Sequence, residues 1–177
     1  ADVSRADQDA FSARSHQRAA AAQAAGKFAA EMVRVEIAGK GGSTMVSADE
    51  SVRPDTTAES LAKLRPVFRK DGTVTAGNAP GLNDGGAAIM VTSLAFAKAH
   101  GLPVLARITG YATGGGEPKE LFFAPILAVQ NLMKQSGTAI GDYDLIEANE
   151  AFAVQAIADG RALGWNDDRV NVNGGAI

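Results

Sequence analysis

The chain has 177 residues, of which 46% are hydrophobic and 21% are charged, and its formal net charge is −3 at pH 7. This length and composition are typical of one globular domain or parts of two, and they exclude an intrinsically disordered chain. The slight negative charge offers no positive field to a phosphate backbone, so nucleic acid is not an expected partner.

The first predicted element is a long helix from Ser4 to about Phe28. Ser4 can cap this helix, Asp7 lies in its first turn, and the alanine-rich stretch 19–25 has the highest intrinsic helix propensity. Its apolar face is thin because alanine buries little surface.

A strand and a second helix follow. The alternating stretch EMVRVEIAG predicts a half-buried strand, which ends at GKGGST, a glycine-rich hairpin turn without the spacing of a phosphate-binding loop. The helix begins after RPD, where Thr56 and Glu59 have the spacing of a capping box.

From Ala87 onward, apolar strands alternate with helices. The predicted strands are AAIMV, VLARITGYAT, YDLIEA and RVNVN. The predicted helices are SLAFAKAHG, capped by Ser93 and ended by Gly101, then APILAVQNLMKQSG and EAFAVQAIADGRAL. Alternating strands and helices predict a layered α/β architecture.

Chemically informative side chains are few. Without cysteine, the chain forms no disulfide, thiolate metal site or thiol nucleophile. His16 and His100 are the only histidines; both fall in predicted amphipathic helices, so we expect solvated helix faces and no metal site. No apolar run approaches the roughly 20 residues that span a bilayer, and no secretory signal is present, so we expect a cytoplasmic protein without a membrane partner.

Two polar motifs suggest ligand contacts. In AGNAPGLNDGG, glycines interleave with Asn78, Asn83 and Asp84 and let the backbone approach a ligand closely, although composition favours a multi-turn loop in which these side chains bond their own backbone. In NEAFA, Asn149 and Glu150 lie just beyond a predicted strand, where ligands bind parallel α/β sheets.

Four stretches together resemble the thiolase family, specifically its acetyl-CoA acetyltransferase branch: SRADQDAFSARSHQRAAAA, TAGNAPGLNDGGAA, DLIEANEAFA and VNVNGGAI. The resemblance implies two similar α/β halves stacked as five αβαβα layers, with a loop domain that holds coenzyme A; only part of this fold is present. It implies that residues 1–80 belong to the loop domain, 81–104 to the end of the N-terminal half and 105–177 to the first part of the C-terminal half.

The same resemblance implies an acyltransferase that catalyses Claisen condensation of acetyl-CoA or thiolysis of a 3-oxoacyl-CoA. Coenzyme A would be a substrate, with no metal or prosthetic group. The family's nucleophilic cysteine, its histidine and its second cysteine match no position here, so we expect the chain to be inactive alone.

The implied partners are acyl-CoA substrates, the remaining segments that carry Cys and His, and further copies in a dimer or tetramer. The implied setting is fatty acid metabolism. The alternatives are a non-catalytic coenzyme A or nucleotide-binding module, or a structural fragment held by subunit contacts.

By resemblance, Asn149 orders a water that helps form the oxyanion hole, and Ala151 and Phe152 line the pantetheine tunnel. Pro80 stands where the biosynthetic branch usually has a serine, and Phe122 and Phe123 precede APILA where the family reads GPIPA. These departures concern the acyl and pantetheine ends of the tunnel.

Also by resemblance, Arg53 packs on the adenine of coenzyme A as a planar cation on a π-face, and Ser60 bonds the same base. The implied apolar contacts to coenzyme A are Leu64, Phe68 and Ala76. For Arg53 the alternative is a solvated surface charge, and for Leu64 and Phe68 it is a place in the core.

Overall fold

The computed structural model describes residues 2–177. By its internal contacts the chain forms two compact units. Unit 1 comprises the residues up to Gly81 together with Ala139–Ile177, and unit 2 comprises Leu82–Thr138. The boundaries predicted from the family resemblance stay a prediction, because these units reflect packing within the chain.

Unit 1 contains three α-helices and one hairpin: α1 (Arg5–Ala24), β1 (Val35–Gly39), β2 (Gly42–Val46), α2 (Ala58–Leu61) and α5 (Ala153–Leu163). Two 3-10 turns complete it, at Ile140–Asp142 and Asp167–Arg169. Unit 2 contains α3 (Leu94–Ala99), a 3-10 helix at Pro118–Phe123 and α4 (Ala124–Ser136). No helix within residues 2–177 is both long and apolar enough to cross a membrane.

Helix α1 begins where the sequence predicts and ends earlier. The Ser4 hydroxyl accepts a hydrogen bond from the Asp7 backbone N–H at 3.0 Å, which confirms the cap. The helix ends at Ala24, four residues before the predicted limit of Phe28, and Gly26 follows with φ +67°. A glycine in this left-handed region is a common helix stop.

The hairpin turn in GKGGST is confirmed. Strands β1 and β2 pair antiparallel from Val35↔Val46 to Gly39↔Gly42, so Lys40 and Gly41 form the two-residue connection. The half-buried character expected for β1 is wrong, since all five of its residues are exposed. The hairpin is a two-stranded ribbon without a second layer among the described residues.

The capping box of α2 lies one residue later than predicted. Thr57 Oγ1 accepts from the Ser60 backbone N–H, and Ser60 Oγ accepts from the Thr57 backbone N–H, both at 3.1 Å. Thr56 is buried and its own backbone N–H donates to the Arg53 carbonyl. Thr56 and Glu59 therefore do not form the box, because the chain is still turning at Thr56.

A buried polar network holds α1 against the loop that contains Asn78. Asn78 is fully buried, and its Oδ1 accepts from the Thr75 N–H at 2.8 Å. Its Nδ2 donates to the Thr73 carbonyl and to Asp9 Oδ1, each at 3.0 Å. Arg5 Nε donates to the other Asp9 oxygen at 2.7 Å. Asn78 therefore fits the alternative of a multi-turn loop whose side chains bond their own backbone. It also ties this loop to α1.

Three predicted helices of the second half form, with shifted ends. Ser93 caps α3 through a 3.1 Å bond from the Phe96 N–H, and Gly101 follows the helix with φ +63°. Helix α4 ends at Gly137, φ +68°. Helix α5 starts at Ala153, three residues after the predicted start at Glu150, because Phe152 is still extended.

The four strands predicted after Ala87 do not form. AAIMV and VLARITGYAT have no regular secondary structure, and YDLIEA and RVNVN meet only in one parallel bridge, Ile146↔Val170. A strand exists through its hydrogen bonds to a neighbour, and the described residues supply no further partner for these segments. Their apolar pattern is therefore present without the sheet.

Unit 2 consequently exposes much apolar surface. Leu82 and Leu105 are 107% and 95% exposed, and Ile89 is 88% exposed. Further exposed apolar side chains in this unit are Met90, Val91, Ile108, Tyr111 and Leu121. Apolar exposure on this scale is a liability for a protein in water.

We expect the purified 177-residue chain to self-associate or to unfold without a sharp transition, because unit 2 offers apolar surface and unpaired backbone. Sedimentation velocity together with a thermal melt and binding of an apolar dye tests this. A monodisperse monomer with one cooperative melt would contradict it.

Candidate functional site

All eight residues predicted to bind coenzyme A or act in catalysis lie in unit 1: Arg53, Ser60, Leu64, Phe68, Ala76, Asn149, Ala151 and Phe152. They come from two stretches far apart in sequence. The start of α5 is tied to the Asn78 loop by a 3.1 Å bond from the Ala153 N–H to the Asn78 carbonyl. This bond places the residues that precede α5 beside those that precede Asn78.

Two of the residues predicted to bind coenzyme A, Phe68 and Phe152, are in contact with each other. The rings of Phe68 and Phe152 meet edge to face, with centroids 6.4 Å apart and planes inclined by 69°. Phe68 is 74% exposed, so it is not a core residue. Together the two rings form an apolar, accessible surface of a kind that suits an apolar ligand segment.

Leu64 packs against Gly77, in the loop that contains Asn78. It is 39% exposed, and a Cβ added at Gly77 would lie 2.5 Å from the terminal carbons of both Leu61 and Leu64. Gly77 therefore allows the backbone after Ala76 to approach the end of α2 closely. Ala76 itself is exposed.

The two residues predicted to hold adenine occupy different local environments. Arg53 is exposed, and its backbone N–H donates to His16 Nδ1 at 3.2 Å. Ser60 is exposed, and its hydroxyl donates to the Thr57 carbonyl at 2.8 Å while accepting from the Thr57 N–H. The adenine base could thus accept a hydrogen bond from the Ser60 hydroxyl only if this hydroxyl no longer donated to the Thr57 carbonyl.

His16 is the residue whose environment was predicted wrongly. It is half-buried rather than on a solvated helix face, and its Nδ1 accepts from the Arg53 N–H. Burial lowers the pKa of His16 and the Arg53 charge lowers it further, against opposing contributions from Glu150 and Asp55. The neutral ring, with a free lone pair on Nδ1, is the form that can accept this bond.

The two polar residues of NEAFA face opposite environments. Glu150 is 2% exposed, whereas Asn149 is exposed, where a ligand can reach it. Glu150 accepts from Ser15 Oγ at 2.6 Å, from Asn171 Nδ2 at 2.9 Å and from the Ile177 N–H at 3.3 Å. Glu150 therefore orients the backbone around Asn149 and is satisfied by donors within the chain.

Residues that support Glu150 were not singled out in the sequence. Asn171, with φ +46°, accepts from the Ala148 N–H and donates to the Ala148 carbonyl, each at 2.8 Å. Ser15 also accepts from the Gly175 N–H at 3.1 Å. The run VNVNGG is a signal that could have indicated these contacts, because Asn tolerates positive φ and Gly permits close approach.

The candidate residues supply an exposed amide at Asn149, an apolar surface at Phe68 and Phe152, and an exposed cation at Arg53. It contains no nucleophilic thiol, since the chain has no cysteine. Within residues 2–177 there is also no group of three or more His, Asp or Glu side chains suited to a metal ion.

Family models match both parts of the chain. "Thiolase, N-terminal domain" matches residues 1–95, and "Thiolase, C-terminal domain" matches residues 102–177.

Curated relatives agree. A beta-ketoadipyl-CoA thiolase of Pseudomonas putida is 55% identical over 99% of this chain, and an acetyl-CoA acetyltransferase of Paracoccus denitrificans is 52% identical over 99%. The chain spans only 44% and 45% of these two relatives.

Solved structures show the same fold. The Bacillus anthracis acetyl-CoA acetyltransferase aligns with a TM-score of 0.95 at 42% identity, and a human mitochondrial 3-ketoacyl-CoA thiolase in complex with CoA aligns with 0.91 at 44%. Each alignment covers 98% of this chain and 44% or 43% of the other. The chain thus has a partial thiolase fold, with pieces of both the N-terminal and the C-terminal domain.

Gly175→Ala tests the packing around Glu150. A Cβ at Gly175 would overlap the Glu150 carboxylate, which three donors hold in place, so we expect a loss of about 1–3 kcal/mol in the free energy of unfolding. Gly141→Ala is the matched control, because nothing lies within 4 Å of its added Cβ. Denaturant titration of both variants, each made in a chain that joins these residues to the segments that the longer relatives carry, gives the measurement, and equal stability would contradict the tight packing.

Proposed function

Because this chain belongs to the thiolase family, we propose that it is the coenzyme A-binding part of an acetyl-CoA C-acetyltransferase. The complete enzyme means here these residues together with the segments that the longer relatives carry beyond them. Its reaction is the Claisen condensation of two acetyl-CoA molecules, or in reverse the thiolysis of a 3-oxoacyl-CoA.

The observation that carries this proposal is the convergence of two residues predicted to bind coenzyme A. Phe68 and Phe152 are 84 positions apart and yet meet ring to ring at 6.4 Å, beside the Ala153-to-Asn78 backbone bond. An apolar surface at Phe152 and an exposed amide at Asn149, three positions earlier in the chain, suit the pantetheine arm and thioester of coenzyme A. The names of relatives at 55% and 52% identity, both acyl-CoA enzymes, support the same assignment.

Each residue takes a role in this proposal. Arg53 packs on the adenine, and its backbone is held by His16. Asn149 holds a water that donates to the thioester oxygen as negative charge develops on it. Glu150 is a positioning residue, since its carboxylate is fully engaged within the chain. The cysteine nucleophile, its base and the second cysteine come from the remaining segments.

The range of acyl groups that the enzyme accepts depends on the residues at the acyl and pantetheine ends of the tunnel, among them Pro80. Pro80 has no N–H and no hydroxyl, so it donates nothing to the pantetheine amide that the usual serine would bond. Relatives include both a beta-ketoadipyl-CoA thiolase and an acetyl-CoA acetyltransferase. We therefore include 3-oxoacyl-CoA substrates longer than acetoacetyl-CoA in the proposed range.

The cellular setting is part of the same proposal. Coenzyme A serves as a substrate, without a prosthetic group, in fatty acid metabolism. The enzyme works in the cytoplasm as a homo-oligomer, a dimer or a tetramer. The wide apolar exposure of unit 2 supports further contacts, which the missing segments and other copies would make.

Arg53→Ala in the complete enzyme is expected to weaken coenzyme A binding by about 0.5–2 kcal/mol, because a cation stacked on the adenine face is lost. Calorimetric titration with coenzyme A measures this. Arg34→Ala, the loss of another exposed arginine of unit 1, is the control and should leave the affinity unchanged. Equal affinities for Arg53→Ala and wild type would remove Arg53 from the site.

Asn149→Ala in the complete enzyme is expected to lower kcat by roughly 10- to 1,000-fold with little change in KM, because the donor acts mainly in the transition state. Acetoacetyl-CoA consumption in the presence of coenzyme A gives the rate, and Glu147→Gln is the exposed control.

The 177-residue chain alone is expected to show no thiolysis in the same assay, since it has no thiol. Turnover by this chain, with longer forms excluded by mass, would overturn the mechanism. A complete enzyme that binds coenzyme A without turnover would instead support a non-catalytic binding module.

A further inference from the structure

Helix α5 carries a buried carboxyl group that the proposed reaction does not use. Asp159 is 2% exposed and has no ion-pair partner among the described residues. Its Oδ1 is buried without a hydrogen-bond partner. A carboxylate in this position would carry an unpaired charge in a dry environment, which is a costly arrangement.

The charged groups around the contact between α1 and α5 are committed elsewhere. Arg161 donates to the Asp7 carboxylate at 2.9 Å and to the Asp2 carbonyl at 2.7 Å. Arg14 pairs with Asp167 at 3.5 Å. Further along α1, Arg5 pairs with Asp9 and donates to two α2 carbonyls. None of these cations balances a charge on Asp159, and only 2% of Asp159 is open to any group from outside.

Within residues 2–177, the one hydrogen-bond partner of the Asp159 side chain is Gln155, one helical turn earlier. The Gln155 amide and Asp159 Oδ2 are 2.5 Å apart. This separation is below the usual range for an N–H···O bond and lies at the lower limit of the range for a carboxylic O–H donating to an oxygen. The oxygen and nitrogen of a glutamine amide exchange places by a simple flip. With the oxygen facing Asp159, Gln155 Oε1 accepts a hydrogen bond from the carboxylic O–H, and the amide NH2 takes the buried position that the oxygen held.

We propose that Asp159 is a proton-dependent lock on α5, in which its neutral carboxylic acid donates to the Gln155 amide oxygen and loss of this proton loosens the helix. The lock is distinct from the site chemistry, since neither residue is among those assigned to coenzyme A. It acts on the helix whose first N–H is bonded to the Asn78 carbonyl and whose preceding residue is Phe152.

The direction of the pH dependence follows from the burial. Burial raises the pKa of Asp159 from 3.8 to about 6, against a smaller lowering by the Gln155 bond. Between these two values the folded helix holds a proton that the opened helix has released, so α5 is most stable below the lower value. Its stability falls as pH rises to about 6 and is level above it.

Amide hydrogen exchange of residues 153–163 in the complete enzyme measures the lock directly. The opening constant of α5 in wild type relative to Asp159→Asn should rise on the order of 100-fold between pH 4 and 7, because Asn keeps the shape and cannot ionise. Asp168→Asn is the matched control: Asp168 is 90% exposed and should show no such change. A ratio for Asp159→Asn that is constant across this pH range would overturn the proposal.

A second measurement uses the wild-type enzyme and does not depend on any variant folding. Infrared difference spectra, or carbon NMR with labelled aspartate, follow the protonated carboxyl of Asp159. We expect one aspartic acid to titrate near pH 6. If every aspartate is ionised by pH 5, the proposal fails, whatever the behaviour of Asp159→Asn.

Discussion

The carboxylate of Glu150 is the contact on which the arrangement of unit 1 depends. It is buried, with no ion pair among the described residues, and is satisfied by donors from α1, from the segment after the Ile146–Val170 bridge and from the last described residue. A buried anion with an unmet donor requirement is strongly destabilising, so these three segments must stay together. The approach of Gly175, which has room for no side chain, follows from the same requirement.

This constraint has a direct consequence for the site. With Glu150 turned inward and fixed, Asn149 is exposed, and the extended Phe152 brings its ring to Phe68 before α5 begins. Asn78 also helps to position Phe152. Its side chain bonds α1 and its own loop, and its carbonyl accepts a hydrogen bond from the Ala153 N–H. Buried polar side chains, rather than apolar packing, therefore position the surface that we assign to coenzyme A.

Helix α5 serves two purposes in this arrangement. Its first residue directly follows Phe152, and its buried face carries Gln155 and Asp159, which are hydrogen-bonded to each other. Asp159 has no ion-pair partner among the described residues, so the acidic group that the proton lock requires lies on the helix that follows the surface assigned to coenzyme A. The helix spans the eleven residues Ala153–Leu163, and Gly164 caps its end with φ +66°.

The sequence by itself determined the features that depend on neighbouring residues. Ser4 and Ser93 cap their helices, Gly101 follows α3 with φ +63°, and GKGGST turns the hairpin, because each of these depends only on side-chain reach or backbone freedom within a few residues. The motifs also identified the family without any structural information.

Tertiary structure decided what depends on distant partners. The predicted strands lack neighbours to bond, so their apolar alternation could not by itself produce a sheet. His16 accepts a bond from a residue 37 positions away, and Glu150 finds Ser15 across 135 positions, distances in sequence that no periodicity encodes. Even the local choice between Thr56 and Thr57 as a cap was set by where the chain finishes its turn, since both have the same chemistry.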